Sequence, residues 1–130
     1  MIIDSSAMIA ILFEEPEGHI FDRRILSSEK SRMSAASLLE TSMIMQSRVG
    51  FEGIRDLDLQ IARLGIEIEP FTESQARLAR EAFKRYGKGR HPAKLKFGDC
   101  IAYALAKETG EELLFKGNDF SQTDIAVAAY

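Results

Sequence analysis

The chain has 130 residues, a formal net charge of −3 and 45% hydrophobic residues, which fits one domain over residues 1–130. Its single cysteine, Cys100, excludes an internal disulfide framework, and two histidines without a CxxC pair make a zinc site improbable. Asp4 interrupts any signal-peptide pattern, and the apolar run 7–13 is far shorter than the roughly 20 residues that span a bilayer. These features predict a soluble, cytoplasmic protein.

Short apolar strands alternate with helices along the chain. We predict strands at 2–3, 33–34, 66–69 and 113–115, with a further candidate at 125–127. Helices are predicted at 5–13, from Pro16 to Leu26, at 35–49, at 51–64, between a Thr72–Gln75 capping box and Gly87, and at 97–108. This alternation predicts an α/β fold with a central parallel sheet covered on both faces. In such sheets, ligands bind outside the carboxyl ends of the strands.

Four carboxylates stand apart from other charges or directly follow a strand. Asp4 ends the first strand, Glu40 lies on an apolar helix, Asp99 opens a helix and Asp119 follows the strand at 113–115. Each has an ordinary explanation: Asp4 as a helix cap, Asp99 as a charge favoured by the helix dipole, Asp119 as a turn residue. Glu40 has the weakest one, because a lone glutamate on an apolar face is rarely buried without a partner. As a set, they predict one acidic site at the sheet edge.

Carboxylates that converge repel one another, and a hard divalent cation relieves that repulsion. Mg²⁺ prefers oxygen ligands and keeps several waters, so one or two of these acids would bind it directly. A water activated by the cation could attack a phosphoryl centre. Ser5 or Ser6 could hold Asp4 in its rotamer, although each could equally be a helix cap.

The segment from 84 to 97 contains no acidic residue, and its part from Tyr86 to Phe97 reads as a mobile basic loop. A solvated charged face is the common explanation, but this segment leads directly into Asp99 and would suit phosphodiester chemistry, in which cations bind the phosphate backbone. An acidic partner protein is an alternative, Arg90 or Lys94 could touch phosphate, and His91 is a candidate proton donor. The cations predicted to bind a phosphodiester backbone or a partner protein are Lys84, Arg85, Lys88, Arg90, Lys94 and Lys96.

The assembled motifs resemble those of PIN-domain ribonucleases, specifically toxins of the VapC type from bacterial toxin–antitoxin pairs. The resemblance spans essentially the whole chain. It depends on the segments Ile2–Ser6, Ser37–Glu40, Lys96–Cys100 and Leu113–Phe120, and on the branch-specific segment Tyr86–His91.

The resemblance implies a three-layer α/β/α sandwich and cleavage of RNA that depends on Mg²⁺ or Mn²⁺. It assigns Asp4, Glu40, Asp99 and Asp119 as the catalytic acids and Asp4 and Asp99 as the direct metal ligands, with Asp124 a competitor for the place of Asp119. Ser6 and Asn118 are the predicted supporting residues.

It also implies a homodimer and a cognate VapB-type antitoxin whose tail occupies the acidic groove and its basic rim.

A phospho-receiver domain is excluded, because Ser5 rather than a second acid follows Asp4. A non-catalytic, metal-stabilised interaction module that binds an acidic or nucleic-acid partner is the alternative.

Overall fold

A parallel four-stranded sheet forms the centre of the computed structural model, which describes all 130 residues. Its strands are β1 (Ile2–Ile3), β2 (Ser31–Ser34), β3 (Ile66–Glu69) and β4 (Leu113–Leu114), in the spatial order β3-β2-β1-β4. The helices are α1 (Ser5–Leu12), α2 (Gly18–Leu26), α3 (Ala35–Arg48), α4 (Phe51–Leu64), α5 (Glu73–Tyr86) and α6 (Phe97–Thr109), and a short 3-10 helix spans Phe120–Gln122. None of the helices combines the length and apolar character that crossing a bilayer would need.

Successive side chains of the short strands point to opposite faces of the sheet, so they pack into two separate hydrophobic cores. Ile3 and Leu114 pack in a core with Phe21 of α2 and with residues of α1 and α4. Their strand neighbours, Ile2 and Leu113, belong to a second core built mainly from α5 and α6. The predicted parallel sheet with helices on both faces, a three-layer α/β/α sandwich, is therefore confirmed.

The order of the strands reverses beside β1. The chain runs from β1 outward to β2 and β3, then returns through α5 and α6 to place β4 on the other side of β1. The Asp4 N–H donates to the Leu114 carbonyl at 3.0 Å and joins the ends of β1 and β4. Such a reversal leaves a crevice at the carboxyl ends of the strands, where α/β proteins bind ligands.

Three predicted elements differ from the structure by two residues or more. The helix α2 begins at Gly18 and not at the predicted Pro16. The strand β2 begins at Ser31, two residues before the predicted start, because Ser31 and Arg32 also pair with β3. The strand predicted at 125–127 is wrong: only Val127 forms an isolated bridge with Leu113, through two backbone hydrogen bonds of 3.0 and 2.9 Å.

The capping box of α5 forms only by half. Thr72 accepts from the Gln75 N–H at 3.2 Å, but the Gln75 side chain donates to Glu108 on α6 instead of returning to Thr72.

Candidate active site

Asp4 lies where β1 ends and caps α1, so the ordinary explanation of this residue is correct but incomplete. Its Oδ2 accepts from the Ser6 N–H at 3.0 Å and from the Ser6 hydroxyl at 2.5 Å. Its Oδ1 is buried and has no hydrogen-bond partner in the protein. Because a buried carboxylate oxygen without a partner is costly, Asp4 retains one atom suited to a cation.

The electrostatic state of Asp4 reflects this arrangement. Burial raises the pKa of the Asp4 carboxyl from 3.8 to about 7, even though the hydrogen bonds from Ser6 act in the opposite direction. The negative charges of Asp99 and Glu40 raise this pKa further. Asp4 is therefore poised to lose its proton when a positive charge arrives.

Glu40 projects from α3 toward the start of α1. The Ser5 hydroxyl donates to its Oε1 at 2.5 Å. The carboxylate also lies against Gly98, where an added Cβ would sit only 2.1 Å from Oε2. Glu40 thus has the polar partner that a half-buried glutamate on an apolar helix requires.

Asp99 caps the start of α6 and also lines the acidic cavity. Its Oδ2 accepts from the Lys96 N–H at 2.9 Å, which closes the first turn of α6. Burial raises the pKa of Asp99, and the charges of Asp119 and Glu40 raise it further, against the opposing hydrogen bond from Lys96. The helix-terminal explanation and the site explanation therefore both apply to this residue.

Asp4, Glu40 and Asp99 line one cavity of about 250 Å³ at the carboxyl end of the sheet. Their side chains stand around its wall without forming a closed metal cage, since no three acidic, histidine or cysteine side chains are grouped tightly enough to hold an ion together. Mg²⁺ keeps several waters and needs only one or two carboxylates, so this open arrangement fits it. Among the carboxylate oxygens that line this cavity, only Asp4 Oδ1 is buried without a hydrogen-bond partner.

The model of the PIN domain family matches residues 1–126. VapC ribonuclease Mb0640 of Mycobacterium bovis is 45% identical over 129 residues, covering 99% of this chain and 98% of that protein. The chain belongs to the VapC family of PIN domains. The predicted family resemblance is therefore confirmed.

Two solved structures share the fold of this chain. Mycobacterium tuberculosis VapC20, described as a sarcin-ricin loop cleaving toxin, matches with a TM-score of 0.76 at 19% identity, over 98% of this chain and 97% of that one. A chain of a toxin-antitoxin complex from Klebsiella pneumoniae matches with a TM-score of 0.73 at 17% identity, over 99% and 97% of the two chains.

The structure separates the two candidates for a fourth acid in this VapC-family site. Asp119 is exposed after β4, and its charge contributes to the raised pKa of Asp99. Asp124 instead accepts from Tyr103 and Lys107 at 2.6 and 2.9 Å. Although burial acts to raise it, these hydrogen bonds and the charge of Lys107 hold the pKa of Asp124 below its ordinary range. The charge of Asp119 on Asp99 and the pairing of Asp124 elsewhere favour Asp119 as the fourth acid, but Asp119 does not line the cavity with Asp4, Glu40 and Asp99. Asn118 is exposed, has no side-chain hydrogen bond and does not line the cavity either.

The six predicted cations are all exposed, but they do not form one uniform patch. Lys96 lines the acidic cavity, whereas Arg85 pairs with Asp124 at 3.6 Å and lies over the Tyr86 ring. The other four, Lys84, Lys88, Arg90 and Lys94, carry no ion pair.

The basic segment is tied down rather than loose, so its description as a mobile loop is not supported. Lys88 donates to the Leu95 carbonyl and Leu95 to the Tyr86 carbonyl, both at 2.9 Å, and Leu95 is fully buried. His91 accepts from the Ala93 N–H at 3.0 Å through Nδ1 and does not line the cavity. The structure therefore gives His91 a role in the loop and no contact that would make it a proton donor.

Two residues that hold the site were not assigned from sequence. Ser5 was considered only as a cap or a support for Asp4, yet it bonds Glu40. Gly98 gave no signal beyond its place before Asp99, because its contact with Glu40 joins residues far apart in the chain.

Proposed function

We propose that this protein is the toxin of a toxin–antitoxin pair and an endoribonuclease that depends on Mg²⁺ or Mn²⁺. The observation that carries the proposal is the buried, unpartnered Asp4 Oδ1 in a cavity shared with Glu40 and Asp99. Family membership supports the reaction class, since Mb0640 is named a ribonuclease. Because the proposed substrate is cellular RNA, we expect this protein to act in the cytoplasm.

We assign each acidic residue a role in the reaction from its position relative to the cavity. Asp4 and Asp99 are the proposed metal ligands, because both line the cavity and burial raises the pKa of each. When bound, Mg²⁺ would offset negative charge on the scissile phosphate and make water a better nucleophile. Glu40 faces the same space and can accept a proton or orient water there. Asp119 adds negative charge from the exposed side, next to Asp99.

The basic residues would bring RNA to this cavity. Lys96 lines the cavity itself, so it is placed to contact a phosphate close to the cleaved bond. The unpaired cations on α5 and the basic segment, Lys84, Lys88, Arg90 and Lys94, would bind the backbone farther away. Such contacts increase affinity for RNA without reading its sequence.

We also propose that a VapB-type antitoxin tail covers the acidic cavity and its basic rim. The architecture shared with a chain from the Klebsiella toxin-antitoxin complex supports this partner.

A homodimer is proposed as well. An apolar groove of about 430 Å³ between α5 and α6, with exposed Phe71, Phe83 and Phe97 on its wall, is unusual for a surface that stays in water.

The decisive experiment uses the purified chain freed of any partner protein. RNA should be cut in Mg²⁺ or Mn²⁺, left intact in EDTA, and cut again when the metal is restored. Cutting that persists in EDTA would reject the metal-dependent mechanism. Metal binding without any cutting would favour the non-catalytic interaction module instead.

A further inference from the structure

Two residues outside the acidic set, Ser5 and Gly98, lie against the Glu40 carboxylate. The Ser5 hydroxyl, at the first residue of α1, donates to Oε1 at 2.5 Å. Gly98, at the start of α6, presents a bare backbone to the carboxylate, since a Cβ at this position would lie 2.1 Å from Oε2 and 2.6 Å from both Oε1 and the carboxyl carbon. Three helices thus meet at this one carboxylate.

No other group in the protein orients the Glu40 carboxylate. It forms no ion pair, and Ser5 is its only hydrogen-bond donor. A glutamate side chain has several rotatable bonds, so without a donor it would sample many rotamers at the cavity wall. The position of Glu40 in the cavity therefore depends on a single hydroxyl.

Ser5 is free for this task because its neighbours perform the local ones. Asp4 caps α1 through the Ser6 N–H, and the Ser6 hydroxyl donates to Asp4. The Ser5 side chain takes no part in capping, and the residue is only 8% exposed. The two adjacent serines therefore serve two different acids.

We propose that Ser5 is a positioning residue that fixes Glu40 for the cleavage reaction, with Gly98 as the backing surface. This inference rests on the proposed nuclease function. Ser5 also lines the cavity, but its hydroxyl is directed to Glu40, so it would act through that carboxylate. Residues in such supporting positions typically change activity by about 10–100-fold when they are removed.

The test compares Ser5→Ala, Ser5→Thr and a matched serine control on α3, Ser42→Ala, whose hydroxyl bonds only the Leu38 carbonyl. We expect Ser5→Ala to lower kcat for RNA cleavage by about 10-fold or more while its melting temperature stays close to that of the wild type. Ser5→Thr, which keeps the hydroxyl, should restore most of the rate, and Ser42→Ala should cut normally. Full activity in Ser5→Ala would overturn the proposal.

A double-mutant cycle with Glu40→Gln separates positioning from a general structural effect. If Ser5 acts through Glu40, adding Ser5→Ala to Glu40→Gln should lower the rate by less than about threefold, because coupled residues are not additive. Independent, multiplying losses would overturn the proposal.

A readout that needs neither metal nor RNA completes the test. In metal-free protein labelled with ¹³C-glutamate, the Glu40 carboxyl resonance should move in Ser5→Ala and stay in place in Ser42→Ala. An unmoved resonance would show that Ser5 does not hold Glu40. If wild-type protein fails to cut RNA while this resonance moves, the proposed function fails but the positioning contact stands.

Discussion

Carboxylates at the two ends of the sheet differ in their ion pairs and in the direction of their pKa shifts. At the amino ends of β1 and β4, Glu111 binds the Met1 amine at 2.7 Å and Arg32 at 3.3 Å. Although burial acts to raise it, the hydrogen bond and charge of the Met1 amine hold the pKa of Glu111 below its ordinary range. At the carboxyl ends, Asp4 and Asp99 have raised pKa values and no cationic side chain bound to them.

This difference distinguishes carboxylates that stabilise the fold from carboxylates available for chemistry. A paired acid contributes to stability and is already neutralised by its partner. An acid that is buried without a cation costs stability, and such strain is typical of functional sites. Replacing the paired Glu111 should therefore lower stability, whereas replacing Asp4 should raise it at a pH where its carboxyl would otherwise ionise.

The largest expected effect comes from neutralising Asp4 or Asp99. Asp4→Asn or Asp99→Asn should reduce RNA cleavage by about 100-fold or more, because the proposed metal loses a charged ligand. Circular dichroism should show both variants folded, since the amide oxygen can still accept the cap hydrogen bonds. Wild-type cleavage rates in either variant would contradict the assignment.

The next effect distinguishes Asp119 from Asp124. Asp119→Asn should lower kcat/KM by about 10-fold, because it removes charge next to Asp99. Asp124→Asn should leave cleavage nearly unchanged but lower the free energy of unfolding by about 1 kcal/mol, since it weakens the bonds to Tyr103 and Lys107. The reverse pattern in rate assays and urea unfolding would make Asp124 the fourth acid.

A third experiment uses the pH dependence of stability without metal. Between the ordinary carboxyl pKa of 3.8 and the Asp4 value of about 7, the folded protein keeps a proton that the unfolded chain has lost. The Asp4 contribution to stability therefore falls as pH rises through this window, by at most about 1.4 kcal/mol per pH unit. In EDTA, Asp4→Asn should gain melting temperature relative to wild type between about pH 5 and about pH 7. A constant difference would show that Asp4 is ionised throughout.

The smallest effect concerns the unpaired cations. In an Asp4→Asn background that does not cut, Lys88→Ala and Arg90→Ala should each reduce the dependence of log affinity for single-stranded RNA on log salt by about 0.7. Lys107→Ala is the matched control, because this lysine is already paired with Asp124. An equal change in the control would show that overall charge, and not the basic segment, governs binding.

Much of the fold follows from local signals in the sequence. The helix α4 begins and ends as predicted, since its apolar residues recur at helical spacing and Gly65 adopts the left-handed conformation that ends it. The alternation in β3 also predicts that strand correctly. Asp4 could be assigned to the sheet edge because it directly follows an apolar strand.

The remaining features depend on contacts between distant residues. The bonds of Ser5 to Glu40 and of Gln75 to Glu108 join different helices, and neither pair has a local pattern. The backbone hydrogen bonds that hold the basic segment in place could not be predicted from its glycines and charged residues. The 125–127 segment has strand-like residues but lacks enough backbone pairing to form one.

The hydrogen bond from the Asp4 N–H to the Leu114 carbonyl has a consequence for the timing of activity. The cavity takes Asp4 from the end of β1 and Asp99 from the start of α6, and the hydrogen bond to Leu114 attaches the end of β1 to β4, which follows α6 in the chain. A partly translated chain therefore has no assembled site, however much of its amino-terminal half has folded. A nascent chain would therefore not cleave RNA until α6 and β4 have emerged from the ribosome.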